Sequence, residues 1–174
     1  VIMGPCAGGA VYSPALTDFT VMVDGTSAMF LTGPGVVASV TGEKVSAQEL
    51  GGSDVHSARS GNAHFRAHCD AEALALVQLI LGYLPSNTQE DAPVIASNDP
   101  VDRRDDALND VVPSDEGSAY SMREGLETIF DRGSLLEVHR EFAPNAIVAF
   151  ARLGGRSVGV VSNEPSFMSG VLDI

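Results

Sequence analysis

The sequence predicts an α/β protein made of two units that an exposed, acidic connector joins. Segments typical of strands alternate with segments typical of helices on both sides of the connector, which is the order expected of α/β folds. The connector, residues 85–117, contains four of the nine prolines and shows little apolar periodicity. The 174 residues, of which 44% are hydrophobic, are enough to bury a core.

Charge and cysteine content exclude several partners and compartments. The formal net charge is −13, and nine of the 23 acidic residues lie in the connector. This charge predicts repulsion from nucleic acid and from anionic membranes. Two cysteines, Cys6 and Cys69, cannot form a secreted-type disulfide framework, which favours a reducing compartment. The longest apolar stretch, Ala71 to Leu84, is too short to span a bilayer, and no segment is typical of a signal peptide.

The first unit is predicted to begin with a strand, a turn and a helix. The apolar run Val1–Met3 predicts a strand, the pair Gly4-Pro5 predicts a turn, and a helix of small residues is expected from about Gly8. Two buried strands then follow, because the segments Thr20–Val23 and Ser27–Leu31 are short, apolar and bounded by turn residues.

Two short helices are expected next. Gly33-Pro34-Gly35 predicts the start of a helix over Val36–Val40, and Gly42 predicts its end. The sequence Ser46-Ala47-Gln48-Glu49 is a capping-box pattern that opens a second helix, which Gly51-Gly52 is expected to stop.

The segment Asp70–Leu84 is the strongest helix prediction in the chain. Four residues at helical spacing form an apolar stripe, and further apolar residues leave little polar face. Such a helix is typical of a deep core or of a subunit contact. The stripe consists of Leu74, Val77, Leu81 and Leu84.

The second unit is predicted to contain one helix and three strands. Ser121-Met122-Arg123-Glu124 is another capping-box pattern, and Gly133 is expected to end that helix. Three strands are expected after it, the last two forming a hairpin around Leu153-Gly154-Gly155. These strands are Leu135–Val138, Ala146–Arg152 and Arg156–Ser162.

Gly8 and Gly9 are the candidate catalytic residues. They lie where a predicted strand has ended and a helix begins, and the first amides of a helix have no intrahelical acceptor. Since glycine lacks a Cβ, a carbonyl oxygen can approach both N–H groups, as in an oxyanion hole for a thioester enolate or a tetrahedral centre. The alternative is that the glycines only permit close packing of helix against strand. The spacing leaves both interpretations open.

Two other patterns are weaker candidates. Gly33-Pro34-Gly35, with Asp54 further on, fits a loose dinucleotide-binding fingerprint, but the short helix favours a turn followed by a helix start. Cys6 would need an adjacent base to act as a nucleophile, and the sequence places no histidine beside it. A buried, inert thiol is therefore favoured.

A zinc site is also considered. His64 and His68 are four residues apart with Cys69 adjacent, so a helix would align them as ligands. No further cysteine cluster completes a tetrahedral site, and we therefore predict no metal. No residue is assigned to cofactor binding.

The stretch from Ile2 to Phe19 contains the run Gly4-Pro5-Cys6-Ala7-Gly8-Gly9. This stretch closely resembles the carboxyltransferase β subunit of biotin-dependent acyl-CoA carboxylases of the propionyl-CoA carboxylase type. Because the sequence starts inside an apolar run without an initiator methionine and ends without a polar tail, we expect a piece of a longer chain. The resemblance continues through Met29–Pro34, Val40–Glu43, Glu49–Gly52, Tyr83–Asn87, Phe150–Val161 and Ser169–Ile174.

This resemblance implies a crotonase-like (ClpP/crotonase) spiral of ββα units, with parts of two such domains in this chain. Residues 1–98 would be the C-terminal part of the N-terminal carboxyltransferase domain, and residues 99–117 the connector between domains. Residues 118–174 would start the C-terminal domain.

The resemblance also implies a reaction, in which a carboxyl group moves from carboxybiotin to the α-carbon of a short acyl-CoA such as propionyl-CoA. Gly8 and Gly9 match the pair that holds the thioester carbonyl as its enolate forms. A second pair, Gly-Ala, would lie later in the second domain. No metal is implied. The implied partners are a biotin carboxylase/biotin carboxyl carrier α subunit and further copies of the β subunit, in the cytoplasm or in a mitochondrial matrix.

Two alternatives and some departures from the family accompany this interpretation. The piece is inert by itself if half of the active site is missing. Another acyl-CoA enzyme of the crotonase superfamily, such as a hydratase or hydrolase, would need a placed acid or base, and Asp18 is the only nearby acid. Asn62, Cys69 and the segment Gln89–Val101 depart from the family pattern, and Gly35 replaces an acidic residue common in relatives.

Overall fold

The computed structural model of the chain describes residues 1–100, 102–115 and 117–173. Val101 and Glu116 of the predicted connector, and Ile174 of the last matched motif, lie outside the described residues. The chain divides into two compact units. The first contains Val1–Leu79 and the short segment His139–Phe142, and the second contains Ile80–Val138 and the described residues from Ala143 onward.

The first unit pairs its four strands in parallel, as expected for an α/β fold. β1 pairs with β3 and β2 pairs with β4, and the second pair aligns Val21 with Phe65. A 3₁₀ turn, Gly8–Val11, joins β1 to α1. The elements are β1 Pro5–Ala7, α1 Tyr12–Ala15, β2 Val21–Val23, β3 Ala28–Phe30, α2 Pro34–Thr41, α3 Ala47–Gly51, α4 Ser53–Ala58 and β4 Phe65–Ala67.

The predicted strand Val1–Met3 and turn Gly4-Pro5 are wrong. The strand is Pro5–Ala7, and it begins at the second residue of the predicted turn. Within the apolar run, Ile2 forms an isolated parallel bridge to Met22. The N–H of Ile2 donates to the carbonyl of Val21, and the carbonyl of Ile2 accepts the N–H of Val23. Proline is tolerated at the first residue of a strand because its missing N–H removes no ladder bond there.

The helix ends predicted from glycine and serine are confirmed. Gly42 follows α2 with a left-handed φ of 77°, and its N–H donates to the carbonyl of Ala38. Ser46 caps α3 with both hydrogen bonds of a capping box, one in each direction with Glu49. Helix α4 and strand β4 have no counterpart among the sequence predictions, because each is short and neither shows a clear apolar period.

Helix α5, Asp70–Tyr83, confirms the predicted element but buries a different face. The fully buried residues are Ala73, Ile80 and Tyr83, whereas Leu74 and Leu81 of the predicted stripe are 54% and 62% exposed. Because the helix is apolar nearly all round, its composition does not specify which face packs inward.

The second unit is built around a three-stranded antiparallel sheet in the order β5-β6-β7. Its core consists of residues that alternate along β6, together with Leu126 of the preceding helix and Val160 of β7. The predicted hairpin is confirmed, and Gly154 and Gly155 make its turn with φ values of 59° and 79°. The elements are α6 Leu108–Val111, α7 Met122–Ile129, β5 Leu136–Val138, β6 Ala146–Leu153, β7 Arg156–Asn163 and a 3₁₀ turn Met168–Gly170.

The capping box predicted at the start of α7 is wrong. Ser121 is the N-cap residue, but its side chain makes no capping hydrogen bond. The buried carboxylate of Glu164 instead accepts the N–H groups of Met122 at 3.1 Å and Arg123 at 3.3 Å. A carboxylate at a helix N-terminus also interacts favourably with the helix dipole. The predicted end at Gly133 is wrong too, because α7 ends at Ile129.

The connector is largely exposed, but it lies within the second unit and is hydrogen-bonded there at several points. The N–H of Ile95 donates to the carbonyl of Gly155 at 3.0 Å. The guanidinium of Arg152 donates to the carbonyls of Pro93, at 3.1 Å, and of Gly82, at 2.6 Å. Arg103 donates to the carbonyl of Phe130 just past the end of α7. Part of the connector is therefore packed structure.

Candidate functional site

The turn that contains Gly8 and Gly9 is open in front of both glycines. Gly8 has a left-handed φ of 63° and Gly9 a negative φ. A Cβ added at either position would meet no heavy atom within 4 Å beyond the neighbouring residues and the backbone of the turn. Within this chain, no neighbouring strand or helix packs against either glycine closely enough to exclude a side chain. The open space leaves room for a ligand oxygen next to the first amides of the turn.

Strand β1 leads directly into this turn and packs against a small apolar core. Its register with β3 places Cys6 opposite Met29 and Ala7 opposite Phe30. Cys6 packs against this core but is only half-buried, so its side chain is more exposed than predicted. Ile2, Val11, Met22, Met29 and Ala63 form the core.

A groove of about 470 Å³ lies beside the turn in the first unit. Its walls are residues 1–6, which precede the turn, and Ser13, Pro14 and Thr17, which follow it. The groove and the open face of the glycines thus belong to the same stretch of chain, and together they form the candidate site.

The residues of the alternative candidate sites have other roles in the structure. Gly33 is the N-cap of α2 and Pro34 its first residue, which confirms a turn and helix start. Asp54 forms an ion pair with Arg66 at 2.5 Å. Asp18 is exposed, and its negative charge acts on the imidazole of His64.

His64 and His68 do not share a helix, because strand β4 lies between them. His64 Nδ1 accepts the N–H of Thr20 at 3.0 Å, while His68 Nδ1 lies 3.1 Å from Asp24. Within residues 1–100, 102–115 and 117–173, no group of three or more His, Cys, Asp or Glu side chains is arranged to hold a metal ion. Across the same part of the chain, no helix is both long and apolar enough to cross a membrane.

A close, tilted pair of histidine rings is a feature that the sequence does not reveal. The rings of His64 and His139 lie 4.4 Å apart, and the N–H of His139 donates to the carbonyl of His64. Burial lowers the pKa of His64, and the neighbouring His139 lowers it further, against a smaller opposing effect of Asp18. Burial also lowers the pKa of His139. The two histidines are 75 positions apart in the sequence, which explains why no sequence motif reveals the pair.

This pair predicts acid sensitivity near neutral pH. Unfolded imidazoles take up protons near pH 6.5, whereas the folded pair does so only at lower pH, so the unfolded state binds more protons. The free energy of unfolding is therefore expected to fall as the pH decreases below about 6.5. Buried carboxylates such as Glu164, whose pKa lies below 4.5, contribute only under more acidic conditions. Urea titrations of the chain between pH 7.5 and 5 measure the effect.

The matched variant for this prediction is His139→Asn. Asparagine does not titrate and tolerates the left-handed φ of 57° at this position. The variant is expected to lose a large part of the pH dependence between 6.5 and 5. A wild-type stability that stays constant or rises over this range would contradict the prediction.

Comparison with known proteins gives a consistent result over the whole chain. Residues 1–174 match the family described as "Carboxyl transferase domain". The chain is 49% identical over 174 residues to the methylmalonyl-CoA decarboxylase subunit alpha of Veillonella parvula. It is 49% identical over 182 aligned residues to the propionyl-CoA carboxylase beta chain of Saccharopolyspora erythraea. All of this chain is covered, but only 34% and 33% of those relatives.

A solved structure of transcarboxylase 12S, described as a hexamer with methylmalonyl-CoA and methylmalonic acid bound, has the same fold. The two superpose with a TM-score of 0.93 at 49% sequence identity, over 98% of this chain and 33% of the other. This likeness confirms the crotonase-like fold predicted from the sequence. The chain therefore spans about a third of the length of the relatives that it matches.

Proposed function

Because this chain belongs to the carboxyl transferase domain family, we propose that the protein carrying it transfers a carboxyl group between biotin and the α-carbon of a short acyl-CoA. The observation that carries this proposal is the match of all 174 residues, at 49% identity, to subunits named for propionyl-CoA and methylmalonyl-CoA. We propose propionyl-CoA as the acceptor and carboxybiotin as the donor.

In this proposal the N–H groups of Gly8 and Gly9 bind the thioester carbonyl oxygen. Bound carboxybiotin would release its carboxyl group as CO₂, the biotin enolate left behind would take the α-proton, and the α-carbon of the thioester enolate would then bond to the CO₂. As the α-proton leaves, negative charge develops on the thioester oxygen, and preorganised N–H donors stabilise that charge more than they stabilise the neutral carbonyl. The open space before both glycines and the left-handed φ of Gly8 support this role.

The chain would contribute one half of an active site. We propose that residues 1–98 end a first carboxyltransferase domain, that residues 99–117 connect the domains, and that residues 118–174 begin a second one. A second glycine-alanine pair, outside this chain, would hold the biotin ring. The remaining partners are further copies of the same subunit and an α subunit that carries biotin, in the cytoplasm or in a mitochondrial matrix.

A direct transfer assay with the full-length protein tests this proposal. A purified carrier domain loaded with ¹⁴C-carboxybiotin is mixed with the protein and with propionyl-CoA, and labelled methylmalonyl-CoA is expected. The 174-residue chain, assayed in parallel, is expected to be inactive because it holds only part of the proposed site. Hydration of an enoyl-CoA or hydrolysis of the thioester, without carboxyl transfer, would overturn the proposal. Transfer by the short chain alone would overturn the division of the site.

A further inference from the structure

His56 on helix α4 holds a backbone carbonyl of strand β3. Its Nε2 lies 2.7 Å from the carbonyl oxygen of Met29, and its Nδ1 lies 2.7 Å from the hydroxyl oxygen of Ser60. Since a carbonyl oxygen can only accept, Nε2 must carry the proton. In the neutral ring Nδ1 then accepts the Ser60 hydroxyl, which orients the imidazole toward β3.

The corner between α3 and α4 lies directly against the backbone of β3. Gly52 forms an isolated antiparallel bridge with Ala28, and the side-chain amide of Gln48 donates to the carbonyl of Ser27 at 3.0 Å. A Cβ added at Gly51 would overlap the carbonyl oxygen of Met29. The corner therefore contacts three successive residues, Ser27, Ala28 and Met29. Of these contacts, the one to Met29 is made by the imidazole of His56, whose orientation is set by Ser60.

Strand β3 is also the strand against which β1 is registered. The pairing of Cys6 with Met29 and of Ala7 with Phe30 sets the position at which β1 ends. The next two residues are Gly8 and Gly9. A displacement of Met29 is thus transmitted through one strand pair to the amides of the turn.

We propose that His56 is a positioning residue of the oxyanion hole, acting through the carbonyl of Met29 and the β3–β1 pair on the amides of Gly8 and Gly9. This inference rests on the function proposed above. Donors of an oxyanion hole act at roughly 2.7–3.1 Å from the charged oxygen, so small displacements weaken them. Misplacement of about 1 Å costs on the order of 10²-fold in rate.

The test compares His56→Leu with His56→Gln in the full-length protein. Leucine removes the donor, whereas the side-chain amide of glutamine can donate to the same carbonyl. The leucine variant is expected to lose roughly 10- to 100-fold in kcat with KM for propionyl-CoA nearly unchanged, because the interaction strengthens as the enolate forms. The glutamine variant is expected to recover most of the rate. His68→Leu is the control, because the side chain of His68 is 82% exposed.

A spectroscopic readout separates positioning from a general loss of stability. The Raman carbonyl stretch of bound propionyl-CoA reports polarisation by the hole, and it is expected to shift toward the value of free propionyl-CoA in His56→Leu but not in His56→Gln. If His56→Leu does not fold, Ser60→Ala, which removes the group orienting the ring, is expected to show a smaller loss and shift of the same kind. Wild-type kcat and carbonyl stretch in the folded variants would overturn the role of His56.

The Gly9→Val variant distinguishes failure of this inference from failure of the proposed function. Loss of turnover in Gly9→Val with wild-type behaviour in His56→Leu would overturn the positioning role alone. Retained turnover in Gly9→Val would overturn the oxyanion hole itself, and with it the premise on which the role of His56 rests.

Discussion

Gly9→Val in the full-length protein is expected to lower kcat for carboxyl transfer by at least about 10²–10³-fold, the usual cost of losing an oxyanion-hole donor. The valine side chain would occupy the space that the thioester oxygen needs. Because Gly9 has a negative φ and no heavy atom lies within 4 Å of an added Cβ, the change should strain neither the turn nor its surroundings. The loss is therefore expected in turnover and not in assembly, as measured by kcat and by size-exclusion chromatography.

Gly35→Val provides the matched control for this experiment. Gly35 also lies in a helix, has a negative φ and is open around an added Cβ, but it is remote in sequence from the proposed hole. Its replacement is expected to leave kcat unchanged. A Gly9→Val enzyme with turnover within about 10-fold of wild type would contradict the assignment, since a bulky side chain cannot share the space of the carbonyl oxygen.

Gly155→Ala is expected to be the most destabilising single substitution considered for the second unit, costing more than about 3 kcal/mol of unfolding free energy. A left-handed backbone alone costs alanine roughly 1–2 kcal/mol. At Gly155 the added Cβ would also overlap the carbonyl oxygen of Ile95, so the connector would have to move away from the hairpin. That movement would break the 3.0 Å hydrogen bond from the N–H of Ile95 to the carbonyl of Gly155.

The neighbouring residue gives an internal reference for this prediction. Gly154 has a similar left-handed φ of 59°, but a Cβ added there meets no heavy atom within 4 Å. Gly154→Ala is therefore expected to show only the conformational cost of roughly 1–2 kcal/mol. Urea unfolding of both variants, followed by far-UV circular dichroism, measures the difference. Equal losses for the two variants would mean that the connector does not pack on the hairpin.

Local chemistry explains why some elements were predictable. The ends of α2 and α3 depend on residues within the segment itself, namely Gly42, which adopts a left-handed φ, and the reciprocal pair Ser46 and Glu49. The hairpin turn depends in the same way on two adjacent glycines. Each of these interactions joins residues only a few positions apart, so a short sequence pattern is enough to predict it.

Interactions between distant residues explain the errors. The N-terminus of α7 carries a capping-box pattern, but Glu164, more than forty residues away, supplies the acceptor. A buried carboxylate that accepts several N–H groups is a stronger partner than an exposed local side chain. The buried face of α5 was mispredicted for a related reason, since several of its faces are apolar and only packing selects one.

For the candidate site, the sequence by itself singled out the glycine pair, because two adjacent glycines at a helix start are a local pattern, whereas the strand before them was misplaced. It also determined the family, through motifs spread along the chain. Only the tertiary structure showed that, within this chain, neither glycine has a close neighbour, and on this observation the proposed oxyanion hole rests. Only the structure brought His56 to Met29 and His64 to His139. Such contacts depend on how strands and helices pack, and sequence spacing does not encode the distance between residues that lie far apart along the chain.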